Sequence, residues 1–530
     1  MQIESVCIVG GGSSGWMSAA IFSKTFPDME ICLVESKHIK TIGVGESTLG
    51  HFNRFLKRVG LFGKDKEWMP KCNATYKTSI GFTNFRDGKG ENFQYPFGRF
   101  DMINYKDNIM RFFELQCQYG DELYPPEEFS RFVNNQTWLA DHNKMADDIP
   151  NSLFNFGEDT AYHLDATKFG QFLKDEVCEN VQHYTGDVQN VIKRPDGSIE
   201  AVVTTEGNYI GADLFLDCTG FRSLLLEQHM GSEFISFGDQ LFNDKAVAGH
   251  MEYEDKDKEM ECVTDCTGLD NGWAWNIPLW NSIGVGYVYS SRHTTSENAT
   301  QELYNYLKKR SGRYPSLSGF TEIDIRHGKR KEAWVKNVVG IGLSYSFVEP
   351  LESTGLMTTH ENLVYLVDAI QSKKSGKMNN FDRQSYNYSV DHLTEVMRNF
   401  IVLHWVLSSR DDTPYWKEYT SEVNIPTTLN DIHSNVRQLS LANTYSLMDN
   451  VLNSFYAPDK LEGLLYIAAG MDNRPLNPIL YKERSDDDRR NVVESIHNEW
   501  QRERKFMLEW VKEQPSHYQY LKDNIYVESV

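Results

Sequence analysis

Positive charge, cysteine and long apolar runs are all scarce in this chain of 530 residues. Lysine and arginine total 54 against 75 aspartates and glutamates, which gives a formal net charge of −21. Because binding to a polyanion needs clustered basic residues, this balance argues against nucleic acid as a partner. Apolar runs such as FIVLHWVL at residues 400–407 fall far short of the ~20 residues that a membrane span needs. The composition therefore favours small molecules as partners.

The eight cysteines lack the spacing of a disulfide framework or a metal site. Cys7, Cys32 and Cys218 lie inside apolar segments, where a reduced thiol packs as a small hydrophobic group. Cys262 and Cys266 are spaced C-x3-C without a second pair or a histidine cluster, which argues against zinc. No signal peptide precedes the first predicted strand. We therefore expect a cytoplasmic protein that binds no metal.

The order of predicted elements indicates an α/β fold. The segment IESVCIV at residues 3–9 has the pattern of a buried strand, a helix follows it, and EICLVES at 30–36 is a second strand. Residues 188–220 predict a β-meander with a Pro-Asp-Gly turn that ends in a buried strand. Strands and turns alternate again at 273–290 and 321–343. This order favours a Rossmann-like parallel sheet joined to the meander and to a second sheet.

Helices dominate the C-terminal part of the chain. Beyond about residue 380 the apolar periodicity is that of helices, and the last one covers roughly residues 486–513. One face of this helix carries Ile496, Trp500, Met507 and Val511. We therefore divide the chain into a core over residues 1–375 and a mainly helical region over residues 376–530 that packs on the core.

The first strand is followed by a glycine-rich turn that suits a dinucleotide. The residues of this G-x-G-x-x-G turn that we expect at the pyrophosphate are Gly10, Gly12, Ser13, Ser14 and Gly15. Glycines let the backbone approach a phosphate at a helix N-terminus, where unpaired N–H groups favour anions. Glu35 ends the second strand 20 residues after Gly15 and could accept hydrogen bonds from a ribose. The alternative is a glycine turn with an incidental acid.

A later segment favours FAD over NAD as the dinucleotide. DLFLDCTGFRS at residues 213–223 is a predicted strand that ends in Asp217-x-Thr219-Gly220. Two-domain flavoproteins carry such a strand and glycine beside the dinucleotide, where no side chain can intrude.

Lys77 is a lone cation in an aromatic and apolar strand-like run. The surrounding segment, MPKCNATYKTSIGFTNF at residues 69–85, places no acidic residue near it. From the residues alone, the simplest interpretation is a strand lysine whose long stem reaches the surface.

Several segments together resemble the flavin-dependent halogenases of the tryptophan-halogenase type, and the resemblance runs from the first strand to at least residue 416. They are GGGSSGWMSA, TIGVGES (41–47), AYHLDATKFGQFL (161–173), DCTGFRSLL (217–225), NGWAWNIPL (271–279), FVEPLESTG (347–355) and FIVLHWVLSSRDDTPYW (400–416). The motif W-x-W-x-I-P, formed by Trp273, Trp275, Ile277 and Pro278, is fairly specific to this family. The resemblance implies a core of the flavoprotein monooxygenase type.

The resemblance also implies a two-stage reaction. Reduced FAD, supplied by a separate flavin reductase, and dioxygen oxidise a halide to hypohalous acid, which then moves through the protein to a lysine. The family lysine maps onto Lys77. An ammonium could orient hypohalous acid by hydrogen bonds, whereas a neutral amine could form a haloamine, and both routes stay open.

The segment PLESTG supplies the second implied site. Glu352 would stabilise the cationic ring of the substrate and accept its proton, although a helix-capping role for ESTGL is the alternative. The backbone N–H groups of Thr354 and Gly355 would bind the halide. Flavin contacts implied by the resemblance are Gly45, Glu46, Val188, Ile341 and Leu356. Trp273 and Trp275 would keep organic substrates away from the flavin, unless they are ordinary core residues.

The segment FQYPFG departs from the family pattern for binding free tryptophan. Tyr95 replaces a family histidine, followed by Pro96 and Phe97, and Leu464 and Leu465 stand where the family often has a tryptophan. We expect Phe97 to stack on the substrate against an aliphatic second wall. A different indole, a phenol or another electron-rich arene is then the expected substrate. Chloride, bromide and iodide all stay open, as does a homo-oligomer.

Two other functions fit the same elements. An FAD-dependent aromatic monooxygenase would hydroxylate its substrate directly, and would usually oxidise a nicotinamide without a partner reductase. A non-catalytic FAD-binding protein could keep the fold, but it would have no need of Lys77 and Glu352.

Overall fold

The computed structural model describes residues 2–38, 45–99, 105–314, 319–373, 377–422, 459–473 and 486–527. Residues 41–44 of the TIGVGES segment and the side chain of Leu464 lie outside the described part. Within it, no helix is long and apolar enough to cross a membrane. The chain divides into two compact units. The first comprises Met1–Thr75, Ala161–Asp244 and Asp324–Arg398, and the second comprises Tyr76–Thr160, Lys245–Ile323 and Asn399–Val530.

The strands and helices of the described residues have the following bounds. The strands, in chain order, are β1 Ser5–Val9, β2 Glu30–Glu35, β3 Glu46–Ser47, β4 Thr75–Lys77, β5 Ser79–Thr83, β6 Asn92–Pro96, β7 Ala161–Leu164, β8 Gln182–Thr185, β9 Val188–Lys193, β10 Ile199–Thr204, β11 Tyr209–Gly211, β12 Leu214–Asp217, β13 Phe234–Ser236, β14 Lys245–Met251, β15 Val263–Leu269, β16 Gly272–Pro278, β17 Ile283–Tyr289, β18 Thr321–Asp324, β19 Gly328–Arg330, β20 Trp334–Val335, β21 Val338–Gly340 and β22 Ser346–Phe347. The α-helices are Ser13–Thr25, Phe52–Val59, Asp65–Trp68, Tyr105–Tyr119, Glu128–Val133, Gln136–Asp141, Phe156–Asp159, Ala166–Phe172, Lys256–Glu259, Ser296–Ser311, Thr354–Gln371, Asn380–Val406, Pro414–Glu422, Asp459–Gly470, Asp486–Lys512 and His517–Asn524. Single turns of 3₁₀ or π geometry are Pro70–Cys72, Leu173–Val177, Gly220–Arg222, Leu224–His229, Gly342–Ser344 and Pro350–Glu352.

The first unit is built on a six-stranded sheet in the order β20-β21-β12-β1-β2-β8. β1 pairs in parallel with β2 and with β12, and only the edge pair β20–β21 is antiparallel. The side chains of Val6–Val9 and of β12 are buried, as expected for strands covered on both faces. The predicted α/β fold and its βαβ opening are therefore confirmed. The predicted meander is the antiparallel sheet β9-β10-β11.

Asp217 organises the end of the central strand β12. Its buried carboxylate accepts hydrogen bonds from the backbone N–H groups of Leu225 and Leu226 at 2.7 and 2.8 Å. It also accepts from the N–H and hydroxyl of Thr219 and from the hydroxyl of Ser344. A buried carboxylate needs such partners to offset its desolvation. The motif Asp217-x-Thr219-Gly220 is thus a junction that joins three segments.

The variant Asp217→Asn is expected to lower the free energy of unfolding by about 3 kcal/mol. The amide nitrogen would face N–H donors and leave some of them without an acceptor. Urea unfolding monitored by tryptophan fluorescence would measure the loss. Asp196→Asn, in an exposed turn, is the control and should change stability by less than about 0.5 kcal/mol. A loss below about 1 kcal/mol for Asp217→Asn would show that the junction is not needed.

The second unit contains a seven-stranded sheet in the order β18-β14-β17-β16-β15-β5-β6. The W-x-W-x-I-P motif is strand β16, and all of its residues are buried. Trp273 and Trp275 lie on one face with ring centroids 6.0 Å apart, and Trp275 covers Gly286 of β17 so closely that a Cβ there would lie 2.1 Å from its ring. Ala274 of this strand and Leu303 of the helix Ser296–Ser311 belong to the same hydrophobic core cluster.

The long C-terminal helix has the predicted apolar face. It covers Asp486–Lys512, and Ile496, Trp500, Met507 and Val511 are all buried. Trp500 packs edge-on against Phe132, with ring centroids 5.0 Å apart. The division into a core over residues 1–375 and a helical region over residues 376–530 stays a prediction.

Candidate active site

The glycine-rich turn has the geometry of a phosphate-binding loop. Gly10 has a φ of +118°, and a Cβ on it would lie 2.2 Å from the carbonyl oxygen of Cys218. A Cβ on Gly15 would lie 1.9 Å from the carbonyl oxygen of Gly10, so both positions exclude a side chain. Gly12 precedes the helix that begins with Ser13 and Ser14, and no side chain caps that helix. Open space surrounds the position of a Cβ on Gly12. The first N–H groups of the helix are therefore available to an anion.

Glu35 lies beside this loop at the end of β2. A Cβ on Gly11 would come within 2.4 Å of the Glu35 side chain, so the carboxylate lies directly against the glycine backbone. Its Oε2 atom is 2.8 Å from Nε2 of His183 and 3.6 Å from Nζ of Lys174. Burial, together with the charge of Lys174, lowers the pKa of His183. The loop and this carboxylate fit the pyrophosphate and ribose of a dinucleotide. His183 and Lys174 carried no signal in the sequence, since β8 with His183 and the π turn Leu173–Val177 with Lys174 come close to Glu35 only in the folded protein.

The five residues expected at the flavin all lie in the first unit. They are Gly45, Glu46, Val188, Ile341 and Leu356, of which Val188 begins β9. Ile341 follows β21, and its N–H donates to the carbonyl oxygen of Asp217 at 2.9 Å. A Cβ on the next residue, Gly342, would lie 3.1 Å from Cβ of Ser14 and 3.2 Å from Oγ1 of Thr359. The turn after β21 therefore meets the helix that begins at Ser13 and the helix that carries Leu356. The flavin contacts themselves stay predictions.

Glu46 is an unusual carboxyl in this region. Burial raises the pKa of its side chain to about 7. An unfolded glutamate titrates near 4.3, so the unfolded chain binds fewer protons than the folded one between those two pH values. The protonated side chain of Glu46 therefore stabilises the folded state fully below about pH 4.3. This stabilisation is lost as the pH rises through about 7.

Glu46→Gln is expected to raise the free energy of unfolding by about 2 kcal/mol at pH 8 and by much less at pH 5. The amide carries no charge that must be desolvated at the higher pH. Urea unfolding without FAD at the two pH values tests this, with the exposed Glu200→Gln as the control. An equal change at both pH values would contradict the assigned titration.

The PLESTG segment forms a tight turn that leads into a helix. Pro350–Glu352 is a single 3₁₀ turn, Ser353 has the left-handed φ of 57°, and the helix begins at Thr354. The Ser353 hydroxyl does not cap the helix but donates to Oγ of Ser47 at 2.9 Å. This argues against the capping alternative for Ser353. A Cβ on Gly355 would meet nothing within 4 Å. No side chain at Ser353 caps the first helical N–H groups, so they could bind an anion, and Glu352 just before them is only 1% exposed.

Lys77 is fully buried at the end of β4, with an exposed fraction of 0%. The interpretation that its side chain reaches the surface is therefore wrong. Its Nζ atom lies 5.1 Å from the centroid of the Phe97 ring, a cation–π distance. Periodicity could not show this burial, because a short strand of polar and aromatic residues suits the surface and the interior equally.

Tyr95, Pro96 and Phe97 lie in the second unit, as Lys77 does. The two rings of this segment form an aromatic wall. The rings of Tyr95 and Phe97 are 6.0 Å apart and nearly perpendicular. Tyr466 stacks on Tyr95 at 5.7 Å, and a Cβ on Gly463 would lie 2.8 Å from the Tyr95 hydroxyl oxygen. The residue stacked on Tyr95 is therefore aromatic, and the aliphatic second wall expected opposite Phe97 stays a prediction. Leu465 is buried next to it along the chain.

Comparison with known proteins assigns this architecture to a family. A family model described as tryptophan halogenase matches residues 5–462. The chain belongs to the tryptophan halogenase family. It is 34% identical over 426 residues to the 7-chloro-L-tryptophan 6-halogenase KtzR of Kutzneria sp. (strain 744), covering 78% of this chain and 81% of that protein.

Solved structures match this chain over nearly its whole length. The structure described as apo VirX1 has 43% sequence identity, a TM-score of 0.87 and complete coverage of both chains. BrvH, a flavin-dependent halogenase from Brevundimonas sp. BAL3, has 27% identity, a TM-score of 0.81 and coverage of 98% and 99%. The protein is accordingly a flavin-dependent halogenase, an oxidoreductase that works with FADH2 and a halide ion.

Proposed function

We propose that this halogenase transfers a halogen to an electron-rich arene of the indole or phenol type, other than free tryptophan. The observation that carries the proposal is the fully buried Lys77 beside the Phe97 ring. Reduced FAD, when bound, supplies the electrons that dioxygen needs to oxidise the halide. The glycine turn and Glu35 would hold its pyrophosphate and ribose.

Lys77 receives hypohalous acid in this proposal. Its side chain donates a hydrogen bond to the oxygen of the acid, or forms a haloamine with it, and so presents the halogen to the ring carbon. The arene attacks the halogen and becomes a cation. On the first route the O–halogen bond breaks and the oxygen leaves as water, with a proton from the ammonium. On the second route the haloamine, formed with loss of water, gives up its halogen, and its nitrogen regains a proton to restore the amine. Burial keeps water away from a reagent that would otherwise diffuse and react with other groups.

Glu352 and the start of the following helix complete the proposed chemistry. The carboxylate accepts the proton that the cationic arene must lose to recover aromaticity. The N–H groups of Thr354 and Gly355 hold the halide before it is oxidised. The left-handed Ser353 and the open space at Gly355 support this assignment, because the amides are left without a side-chain cap.

The substrate proposal depends on the aromatic wall. Tyr95 replaces the family histidine, and its ring is already committed to a stack with Tyr466. We assign the stacking of a planar arene to Phe97. A separate flavin reductase supplies FADH2. We also propose a cytoplasmic location, which the thiol state of all eight cysteines favours.

A halide-resolved product screen tests the proposal. The purified protein would receive FAD, a flavin reductase, NADH and chloride, bromide or iodide in turn, with a panel of indoles, phenols and free tryptophan. Mass spectrometry should show a product that gains one halogen and loses one hydrogen, with free tryptophan among the poorest substrates. A product that gains only oxygen would favour the hydroxylase. Preferred turnover of free tryptophan would overturn the substrate assignment.

A further inference from the structure

A buried series of hydrogen bonds in the first unit ends on the turn that precedes the proposed halide site. The amide Nδ2 of Asn243 donates to Oε1 of Glu349 at 2.5 Å. The main-chain carbonyl of Asn243 accepts a hydrogen bond from Nε2 of His327. The main-chain carbonyl of Glu349 accepts one from Oγ1 of Thr354 at 3.3 Å. Thr354 is the first residue of its helix, so the series connects Asn243 to the helix start.

The members of the series are held firmly. Asn243, His327, Glu349 and Thr354 are all buried. The His327 ring also stacks on Phe347, with centroids 5.5 Å apart and an interplanar angle of 15°. Burial lowers the pKa of His327 to about 4, so the ring is neutral near pH 7 and its single N–H is the donor to Asn243. Buried hydrogen bonds of this kind restrict geometry strongly.

The turn itself needs such support. Ser353 adopts a left-handed conformation that a non-glycine residue rarely takes, and surrounding contacts must hold it there. Anion binding by two backbone N–H groups depends on both of them pointing at one place. A small rotation of the turn would therefore weaken the halide site without altering the groups that form it.

We propose that Asn243 and His327 are positioning residues for the halide, which act by clamping Glu349 and thereby fixing the N–H groups of Thr354 and Gly355. This inference rests on the proposed function, because halide binding by those two groups is itself a proposal. Neither Asn243 nor His327 touches the halide. Their effect is on the direction of the two amides.

Three variants distinguish the loss of these positioning hydrogen bonds from a general loss of stability. Asn243→Leu removes the amide at similar size and should raise the KM for bromide about tenfold, while the KM for the arene stays within about twofold. His327→Phe keeps the stack on Phe347 but loses the N–H donor, and should raise the bromide KM as well. His327→Gln retains a donor and should restore much of the bromide affinity. The two His327 variants test the positioning role even if Asn243→Leu does not fold.

Asn337→Leu is the matched control. Asn337 is also buried in the first unit, and its amide donates to the carbonyl oxygens of Ile199 at 2.9 Å and Asp213 at 3.2 Å. Its loss should lower stability but leave the bromide KM within about twofold of the wild type. If Asn337→Leu raises the bromide KM as much as Asn243→Leu does, the positioning role is wrong. The same conclusion follows if His327→Gln is no better than His327→Phe.

A second measurement does not depend on turnover. The increase in Tm when bromide replaces acetate at constant ionic strength reports halide binding to the folded protein. The wild type should show an increase that Asn243→Leu loses. If that result is obtained but no halogenated product ever forms, the proposed function fails and the positioning role stands. A wild type whose Tm ignores bromide overturns the positioning role.

Discussion

Lys77→Met is expected to lower the rate of halogenated-product formation by about 10³-fold, while FAD binding stays within about twofold of the wild type. Methionine has a similar length and suits a site where Lys77 is fully buried, so the variant removes the amine and its charge without opening a cavity. The loss is large because the variant removes the amine that, in the proposed function, holds hypohalous acid.

The measurement is the initial rate of halogenated product by liquid chromatography, with FAD binding followed by flavin fluorescence. Lys71→Met is the control, because Lys71 is half exposed and forms an ion pair with Glu176 at 2.7 Å. It should halogenate at the wild-type rate. Equal rates for Lys77→Met and Lys71→Met would remove the basis for a lysine relay.

Glu352→Gln is expected to lower the same rate by about 10²-fold, which is the range for loss of a general base. The amide preserves size and hydrogen bonding in a site that is 1% exposed, so the turn should keep its shape. Glutamine has no basic oxygen for the proton of the cationic arene. Proton loss should then limit the rate.

Isotope substitution gives the specific readout for this role. With deuterium at the halogenated carbon, the wild type should show little isotope effect and Glu352→Gln a clear one. Glu361→Gln is the matched control, since Glu361 is buried in the adjoining helix and pairs with Arg54 at 2.8 Å. It should lose stability and keep its halogenation rate. A Glu352→Gln enzyme with full activity and no isotope effect would exclude the base.

The parts of the fold that sequence could predict are those set by local pattern. The strand, glycine turn and helix over residues 3–25 follow from apolar periodicity and from Gly10 and Gly15, whose neighbours leave no room for a Cβ. The C-terminal helix follows from the spacing of its apolar residues. In both cases the signal lies within one stretch of chain.

The parts that sequence could not predict are contacts between distant segments. Tyr95 and Tyr466 stack although some 370 positions separate them, and nothing near either residue shows the pairing. The hydrogen bond of Asn243 with Glu349 spans 106 positions. Burial of Lys77 depends on residues packed around β4 and not on the strand itself. The family resemblance implied that Lys77 lies inside the protein, whereas the residue pattern alone favoured a lysine at the surface.

The central claim is that the oxidised halogen passes to the arene only through Lys77. A partition experiment tests it, in which wild type and Lys77→Met turn over FADH2, dioxygen, bromide and an indole in the presence of a soluble 1,3-diketone that captures free hypobromous acid. We predict that the wild type brominates the indole despite the scavenger, and that Lys77→Met brominates the scavenger and not the indole at a similar rate of FADH2 oxidation. Bromination of the indole by Lys77→Met at the wild-type rate, with the scavenger present, would contradict the account.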